Sequence, residues 1–253
     1  MQVGLIGSGN MASALARGWG DPVLCTDAIQ RRAEDLAAEL GGEALASNIE
    51  LAQRAELLFL CHKPDQLDQV AAEIAAVGDA PIVSILGGVP LSALQAAYPG
   101  RPVFRLMPNV AVEVGRGVIC VAHDADVDHD LAERVVTLLE RSATVVRLDD
   151  RLIDAATAAM GVGPAYVALV VEAWVDSIVR LGIPAPTASV LVSETVAGTI
   201  ELLAARDGDT LAVRRSVTSP GGSTARGLAA LDAHNLRTGF QAAADAVVHG
   251  GRR

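Results

Sequence analysis

The fold is decided by residues 3–12, which read VGLIGSGNMA. The apolar run from Val3 to Ile6 is typical of a buried strand, and the residues from Asn10 to Trp19 have the spacing of a helix. A glycine-rich turn joins the two, and a second run, Pro22 to Thr26, predicts the next strand. Strand, glycine turn, helix and strand in this order are the context of a dinucleotide-binding fingerprint.

The turn itself has the pattern G-x-G-x-x-A. Gly7 permits a tight turn, Gly9 lets the backbone approach a pyrophosphate, and Ala12 permits close packing of the helix on the sheet. The helix N-terminus then faces the phosphate charge. The alternative is an ordinary glycine turn, which the order of the surrounding elements argues against. The residues of this turn that we expect at a dinucleotide are Gly7, Ser8, Gly9, Asn10 and Met11.

Asp27 comes 20 residues after Gly7, at the end of the second predicted strand. An acid at this place accepts hydrogen bonds from the ribose hydroxyls of the adenosine half of NADH. The 2′-phosphate of NADPH would bring negative charge against it, although Arg31 and Arg32 follow closely enough to neutralise a phosphate. We therefore expect a nicotinamide cofactor, NADH or NADPH, with a preference for NADH.

Short apolar runs and helical patterns alternate as far as residue 150. Such an alternation predicts an α/β fold with a doubly wound sheet of the Rossmann type. From Leu152 to Val248 no good strand pattern appears. We therefore divide the chain into a dinucleotide-binding domain, residues 1–150, and an all-α domain, residues 151–253. The further strands are predicted at residues 57–61, 82–85, 103–106, 118–121 and 144–148.

The helical half contains a segment, Ala165 to Arg180, that is apolar around nearly its whole circumference. A helix that is apolar on most sides must be buried on most sides. A helical domain of about 100 residues has too small an interior to bury such a helix by itself. We therefore predict that residues 152–248 form the interface of a homodimer.

The composition excludes several classes of protein. Of 253 residues, 51% are hydrophobic and 20% charged, which is typical of a folded chain and not of a disordered one. The formal net charge of −10 would repel a nucleic acid. The longest uncharged run, Ala155 to Val171, is broken by glycines and a proline, which argues against a membrane span. Three dispersed cysteines and the lack of a basic leader favour a cytoplasmic protein, and the spacing of the histidines predicts no metal site.

Two further segments follow predicted strands, where the ligands of such sheets bind. They are Cys61-His62-Lys63-Pro64 and Arg105-Leu106-Met107-Pro108-Asn109, and Lys63 is the single lysine of the chain. In the second half, Ser219-Pro220-Gly221-Gly222-Ser223-Thr224 precedes a predicted helix, where backbone N–H groups are suited to hold a carboxylate. The residues outside the glycine turn that we expect at the cofactor are Asp27, His62, Lys63, Pro64 and Asn109.

Together these segments resemble the pyrroline-5-carboxylate reductases, over essentially the whole chain. At the front, the glycine turn, the Lys63-Pro64 pair and the Arg-x-Met-Pro-Asn segment match the family. At the back, Asp154 to Ala158 and Gly163 to Tyr166 are similar to the family's DAxTALSGSGPAY. Val217 to Thr224 is close to its VTSPGGTT, which is the most specific of these segments.

The resemblance implies the last step of proline synthesis, in which a nicotinamide cofactor delivers hydride to the C=N carbon of 1-pyrroline-5-carboxylate. It implies that Thr224 is catalytic and hydrogen-bonds the ring nitrogen. The N–H groups of Ser223 and Thr224 would bind the carboxylate of this cyclic imine, and Ser219 and Gly222 would shape the loop. It also implies an intertwined dimer, which in the family often builds larger rings.

The chain departs from the family pattern at several places. Met160 and Val162 stand where the family has serines, and Val110-Ala111 stands where it has Thr-Pro. His62 stands where an apolar residue usually precedes the lysine. Two alternatives therefore stay open, a relative that reduces a different cyclic imine and a non-catalytic, nucleotide-binding member of the family. A β-hydroxyacid dehydrogenase is set aside, since it relies on a lysine after the domain boundary and none follows Lys63.

Simpler structural roles exist for the same side chains. Thr224 is a residue type that often caps a helix, and Lys63 suits an exposed position at a strand end. A histidine such as His62 is often a partly buried, hydrogen-bonded residue. Arg105 is expected to tie down the turn after its strand.

Overall fold

In the computed structural model, which describes residues 1–250, eight strands form one sheet. The sheet belongs to the first of two units into which the chain divides, Met1–Val162 and Gly163–Arg253. In chain order the strands are β1 (Val3–Ile6), β2 (Leu24–Thr26), β3 (Glu43–Ala44), β4 (Leu57–Leu60), β5 (Ile82–Ser84), β6 (Val103–Pro108), β7 (Gly117–His123) and β8 (Ala143–Arg147).

Helices follow most of the strands in the first unit and make up the second. Those of the first unit are α1 (Asn10–Trp19), α2 (Gln30–Leu40), α3 (Asn48–Arg54), α4 (Leu67–Ile74), α5 (Leu91–Ala97), α6 (His129–Glu140) and α7 (Asp150–Ala156). Those of the second are α8 (Gly163–Val179), α9 (Ala185–Ala204), α10 (Thr210–Ser216), α11 (Ser223–Ala233) and α12 (Leu236–His249). The predicted change from alternating strands and helices to helices alone is confirmed.

The strand order is β3-β2-β1-β4-β5-β6-β7-β8, so β1 lies between β2 and β4. β1 is parallel to both neighbours, and the chain winds outward from it in two directions. The order reverses between β1 and β4, and ligands of doubly wound sheets bind in the crevice at this point. The predicted Rossmann-type sheet is confirmed.

Helices cover both faces of the sheet because alternate strand residues point to opposite faces. Val3 and Leu5 of β1 belong to a core cluster with residues of α1, α2 and α6. Ile6 belongs to a second cluster, with residues of α3, α4 and α5. The central strands are therefore buried on both faces, as nearly continuous apolar runs such as Leu57–Leu60 predict.

One strand reverses the parallel pattern. β7 runs antiparallel to β6, with Leu106 opposite Val121, whereas β8 is again parallel to β7. The connection between β6 and β7 contains one 3₁₀ turn, Val110–Val114, whereas a parallel return needs a crossover of about a dozen residues or more. The apolar pattern of the sequence predicts this strand but not its direction.

The start of α7 is fixed to the sheet by a buried arginine. Arg105 of β6 is 4% exposed, and its guanidinium donates to Asp150 Oδ1 at 2.9 Å and to Asp154 Oδ1 at 2.5 Å. Asp150 Oδ2 also accepts a hydrogen bond from the N–H of Leu91 at 3.2 Å. Arg105 therefore anchors the helix α7 rather than the turn that follows its own strand.

The first unit extends to Val162 because α7 packs on the sheet. Ile153 of α7 is buried with two residues of β7. A π-helical turn, Thr157–Gly161, continues α7, and a side chain at Gly161 would lie 3.1 Å from Met107 Cε. Arg105 and Met107 share one face of β6, so the chain from α7 to the π turn runs along this face toward the carboxyl end of β6.

The second unit leaves much apolar surface uncovered. α8 packs against α9, yet no residue of α8 is buried. By length and composition alone, two helical stretches, Asp150–Val179 and Ala185–Ala204, are apolar enough to cross a membrane. The first of them begins with α7, which lies on the sheet. Large apolar residues of α8 that are exposed include Val167, Leu169, Val170 and Trp174.

We expect Arg105→Met to destabilise the protein strongly. Loss of one partner from a buried ion pair costs about 3–5 kcal/mol. Asp150 and Asp154 are 29% and 66% exposed and can regain water, so we expect the lower end of that range. The free energy of unfolding in urea, measured at one fixed protein concentration, checks this.

Arg147→Met is the matched control. Arg147 pairs with Glu133 at 2.6 Å, but both side chains are about half exposed, at 52% and 45%. Exposed pairs contribute about 0–1 kcal/mol. Equal losses of stability in the two variants would contradict the anchoring role of Arg105.

Candidate active site

The glycine turn lies directly against the end of β4. Gly7 has a φ of +101°, in the left-handed region that glycine adopts freely. A Cβ on Gly7 would lie 2.7 Å from the carbonyl carbon of Cys61 and 2.9 Å from the backbone nitrogen of His62. These are backbone atoms, so they cannot move aside as the end of a side chain would. Both the φ and the close approach therefore require glycine at this position.

Gly9 has a different reason to be glycine. It is the N-cap of α1, with φ −73° and ψ −179°, a conformation open to any residue. Apart from the chain neighbours of Gly9, no atom of residues 1–250 lies within 4 Å of a Cβ built on it, so packing does not explain the glycine. A bare backbone beside the unpaired N–H groups of a helix start is what a pyrophosphate needs. The turn, with Asn10 and Met11 opening the helix, therefore fits a dinucleotide.

Asp27 is bonded to the glycine turn. Its Oδ2 accepts from the N–H of Ser8 at 2.7 Å, and its Oδ1 accepts from the N–H of Ile29 at 2.8 Å. Ser8 is itself buried, with its hydroxyl donating to the carbonyl of Thr26 at 3.1 Å. The carboxylate is thus held at the end of β2, and each of its oxygens keeps capacity for a ligand hydroxyl.

His62, Lys63 and Pro64 follow β4 at the switch point. The N–H of Lys63 donates to Gln66 Oε1 at 3.1 Å, and the N–H of Gln66 donates back to the carbonyl of Lys63 at 3.0 Å. This pair of bonds closes a short 3₁₀ turn that begins at Pro64. Lys63 is exposed and forms no ion pair within residues 1–250. His62 is half-buried, with Nδ1 at 2.8 Å from the carbonyl oxygen of Lys63.

Asn109 is buried and connects β6 to β7. Its Oδ1 accepts from the N–H of Val118 at 3.1 Å, and its own N–H donates to the carbonyl of Val118 at 3.1 Å. The side-chain carbonyl of Asn109 is therefore already bonded to the backbone of Val118. The NH₂ group is the part of Asn109 left to contact a cofactor.

The structure adds residues that the sequence analysis did not select. Ser84 ends β5 next to β4 and is fully buried, with its hydroxyl accepting from the N–H of Leu86 at 3.2 Å. Gly87 follows, with open space where its Cβ would lie. The glycine pair after an apolar run was the signal in the sequence. The π turn beside Met107 left no such signal, because π geometry depends on packing.

The second cluster of predicted residues lies in the second unit. Ser219 and Gly222 close a tight turn, in which the N–H of Gly222 donates to the carbonyl of Ser219 at 3.0 Å. Gly221 has a φ of +69°, which suits glycine at the third position of a type II turn. A Cβ on Gly222 would collide with the hydroxyl of Ser219, which would have to rotate away. The turn therefore requires glycine at Gly221 and is most compact with glycine at Gly222.

The helix α11 begins directly after this turn, at Ser223, whereas the sequence pattern predicts a helix from Ala225 to Leu231. Its N-cap is Gly222, which has no side chain, so Thr224 is not the cap. Ser223 and Thr224 are the first two helical residues, and N–H groups at these positions have no partner within the helix. N–H groups at a helix start carry partial positive charge, and the half-buried Thr224 hydroxyl lies on the second residue beside them.

The predicted residues thus fall into two groups, each within its own unit. The first group surrounds the crevice between β1 and β4 and contains Gly7, Ser8, Gly9, Asn10, Met11, Asp27, His62, Lys63 and Pro64. Asn109 belongs to the same unit, at the end of β6. The second group is the turn Ser219–Gly222 with Ser223 and Thr224.

Two family models match the chain. The model "Pyrroline-5-carboxylate reductase dimerisation" matches residues 150–253. The model "NADP oxidoreductase coenzyme F420-dependent" matches residues 2–88. The two matches correspond to the helical part and to the front of the sheet.

Curated relatives extend over nearly the whole chain. A pyrroline-5-carboxylate reductase of Synechocystis is 35% identical over 246 residues, covering 94% of this chain and 92% of the relative. Another, of Pseudomonas aeruginosa, is 32% identical and covers 95% of this chain and 90% of the relative.

Solved structures are similar over the same length. A pyrroline carboxylate reductase of Plasmodium falciparum with NADP bound has a TM-score of 0.89 at 25% identity and covers 99% of this chain and 96% of its own. The enzyme of Streptococcus pyogenes has a TM-score of 0.90 at 26% identity, covering 98% of this chain and 96% of its own. With the glycine turn, the Lys63-Pro64 pair and the Ser219–Thr224 segment all in place, the chain belongs to the pyrroline-5-carboxylate reductase family.

Proposed function

We propose that the chain reduces 1-pyrroline-5-carboxylate to L-proline with NAD(P)H, as the names of its relatives indicate. The observation that carries the proposal is that both halves of the required chemistry are retained. The Gly7 turn lies against β4 and leaves the start of α1 open. The Gly222 turn leaves the N–H groups of Ser223 and Thr224 at the start of α11. A nucleotide-binding protein without this activity would need only the first.

The anion-binding site at α11 suits the substrate carboxylate. The N–H groups of Ser223 and Thr224 point out of the helix start and carry its partial positive charge. A carboxylate fixed there places the adjacent ring atoms near the Thr224 side chain. The Thr224 hydroxyl can then donate to an imine nitrogen or accept from a protonated one.

On the cofactor side, a reduced nicotinamide bound at the glycine turn supplies the hydride. The chain's own residues orient and hold the reactants, which removes most of the entropic barrier to such a transfer. Gly9 allows close approach of the pyrophosphate, and the exposed Lys63 supplies a positive charge at the end of β4.

The fixed carboxylate of Asp27 supports a preference for NADH over NADPH. Two N–H donors hold it, so it is not free to turn away from a 2′-phosphate. Arg31 can offset the repulsion in part, since the one ion pair that it forms within residues 1–250, with Asp35 at 3.7 Å, is highly exposed. NADPH therefore stays usable, in keeping with the NADP-bound Plasmodium relative.

A different cyclic imine is the second candidate substrate. Met160 lies in the π turn and Val162 directly follows it, where the family pattern has two hydroxyls. Two apolar side chains in place of serines would favour a less polar ring. Comparison of kcat/KM for the five-membered imine and for its six-membered homologue tests this directly.

The exposed apolar residues of α8 and α9 support a homodimer formed through the second unit. The family model that matches residues 150–253 is a dimerisation model. A second copy of the chain would cover the helical surface that residues 1–250 leave exposed, and would account for the two long apolar helices without a membrane. We propose a cytoplasmic homodimer, or a larger assembly of dimers.

We expect Thr224→Ala to lower the rate of imine reduction about 10- to 150-fold while the Kd of the cofactor stays unchanged. Loss of one hydrogen bond to a charged group costs about 1.5–3 kcal/mol. Steady-state kinetics and cofactor titration measure the two quantities. Thr224→Ser, which keeps the hydroxyl, should restore most of the rate.

Thr218→Ala is the control for this experiment. The hydroxyl of Thr218 already donates to the carbonyl of Arg214 at 2.6 Å, so we expect little change in rate. A Thr224→Ala enzyme that is folded and as fast as wild type would remove Thr224 from the mechanism.

We expect Asp27→Ser to shift cofactor use toward NADPH. Removal of one like charge near the 2′-phosphate is worth about 1–3 kcal/mol after screening, or roughly 5- to 150-fold in the NADPH-to-NADH ratio of kcat/KM. Glu34→Ser, which removes an exposed charge from α2, should leave the ratio unchanged. A wild-type enzyme that already prefers NADPH would refute the ribose contact of Asp27.

We expect the protein to be a dimer or larger at micromolar concentration, and Trp174→Glu to weaken the association. Trp174 is 42% exposed on the mostly apolar helix α8, and a carboxylate buried there at an interface is costly unless it is paired. Light scattering coupled to size exclusion gives the mass. Val114→Glu is the control, since Val114 is 74% exposed in the first unit. A folded wild-type monomer would overturn the proposed dimer.

A further inference from the structure

His62 lies close to the point between β1 and β4 at which the strand order reverses. Its backbone nitrogen is 2.9 Å from the place that a Cβ on Gly7 would occupy, so it borders the glycine turn. The residue follows β4 directly, at the carboxyl edge of the sheet. A ligand in the crevice between β1 and β4 therefore passes close to the backbone of this residue.

The imidazole of His62 has a defined tautomer. Nδ1 lies 2.8 Å from the carbonyl oxygen of Lys63, and a carbonyl oxygen can only accept. Nδ1 must therefore carry the hydrogen, which leaves Nε2 as an acceptor. Burial lowers the pKa of His62, although the bond to the Lys63 carbonyl and the carboxylates of Asp65 and Glu73 oppose this, and the lowered pKa favours the neutral ring.

Nε2 of His62 is buried and has no hydrogen-bond partner within residues 1–250. Two other buried side-chain atoms share this condition, Trp19 Nε1 and the hydroxyl of Tyr98. Both of those residues belong to the hydrophobic clusters on the faces of the sheet. His62 alone of the three lies at the edge where ligands bind, and an unpaired buried acceptor is costly unless a ligand satisfies it.

The acceptor character of Nε2 selects the part of a dinucleotide that it can bind. Phosphate oxygens only accept, so they offer nothing to an unprotonated nitrogen. The ribose hydroxyls donate, and a ribose adjoins the pyrophosphate on each side. We propose that His62 Nε2 accepts a hydrogen bond from a ribose hydroxyl of the cofactor. His62 is then a cofactor-binding residue of this chain that lies outside the glycine fingerprint, at a position where the family pattern has an apolar side chain.

This inference rests on the proposed use of a nicotinamide cofactor, and calorimetry separates the two. We expect His62→Phe to raise the Kd of NADH about 3- to 30-fold, because the ring is kept and the acceptor is lost. His62→Gln, whose side-chain oxygen can reach a similar place, should recover most of the affinity. If wild type binds neither NADH nor NADPH, the proposed function itself fails. If it binds them and both variants bind equally well, only the role of His62 fails.

His123→Phe is a matched control. His123 makes the same local contact, with Nδ1 at 2.8 Å from the carbonyl oxygen of Asp124, the residue that follows it. It ends β7, which is antiparallel to β6, and it is paired with Phe104 near the start of β6. It therefore lies at the opposite edge of the sheet from His62, and the Kd of the cofactor should not change.

Deoxyribose analogues of NADH identify the hydroxyl. The analogue that lacks the bonded hydroxyl should bind wild type more weakly by the same factor as His62→Phe, and should bind the two proteins equally. Analogues altered on the adenosine ribose and on the nicotinamide ribose show which of the two riboses provides the bonded hydroxyl. If the loss of His62 and the loss of a ribose hydroxyl weaken binding independently for every analogue, the proposal is overturned. A Kd that falls as the pH is lowered, in wild type but not in His62→Phe, would also overturn it, since it would show an imidazolium bound to phosphate.

Discussion

The contact on which the first unit depends is the backbone approach of Gly7 to the end of β4. Any side chain at Gly7 would overlap the carbonyl of Cys61, so the spacing of β1 and β4 at the crevice requires a hydrogen atom there. The same contact sets the direction of α1, because the turn leads directly into that helix. It also brings the backbone of His62 to the rim of the crevice. One steric constraint thus fixes two features of the crevice, the start of α1 and the end of the neighbouring strand β4.

Elsewhere in the first unit, charged side chains connect separate segments of the fold through hydrogen bonds. Asp27 joins the end of β2 to the glycine turn through the N–H of Ser8. Arg105 joins β6 to α7 through Asp150 and Asp154. Both are partly or wholly buried, so each bond is less weakened by water than an exposed pair would be. The predicted ribose contact of Asp27 must therefore coexist with its structural role.

The sequence predicted those features that depend on residues close together in the chain. The strand–turn–helix at Gly7 and the glycine turn before α11 are of this kind, because turn geometry is set by local residues. The direction of β7 was not predictable, since it depends on the length of a connection and not on an apolar pattern. The partners of Arg105 and the occupied carbonyl of Asn109 depend on contacts between distant segments. The sequence predicts that Thr224 lies near the start of a helix, and the structure shows that Gly222 is the cap of that helix.

The reversal of β7 determines where the polypeptide leaves the sheet. β8 is parallel to β7, so it ends at the edge opposite the crevice, and α7 begins there beside Arg105. The chain then runs back along β6 and reaches Met107, near the carboxyl end of that strand, at the π turn. In a wholly parallel sheet, the last strand would end at the crevice and the following helix would lead away from it. The reversed pair β7 and β8 thus lets an exit helix return to the ligand-binding edge, and the loop after His123 is left on the far side, where insertions would not reach the crevice.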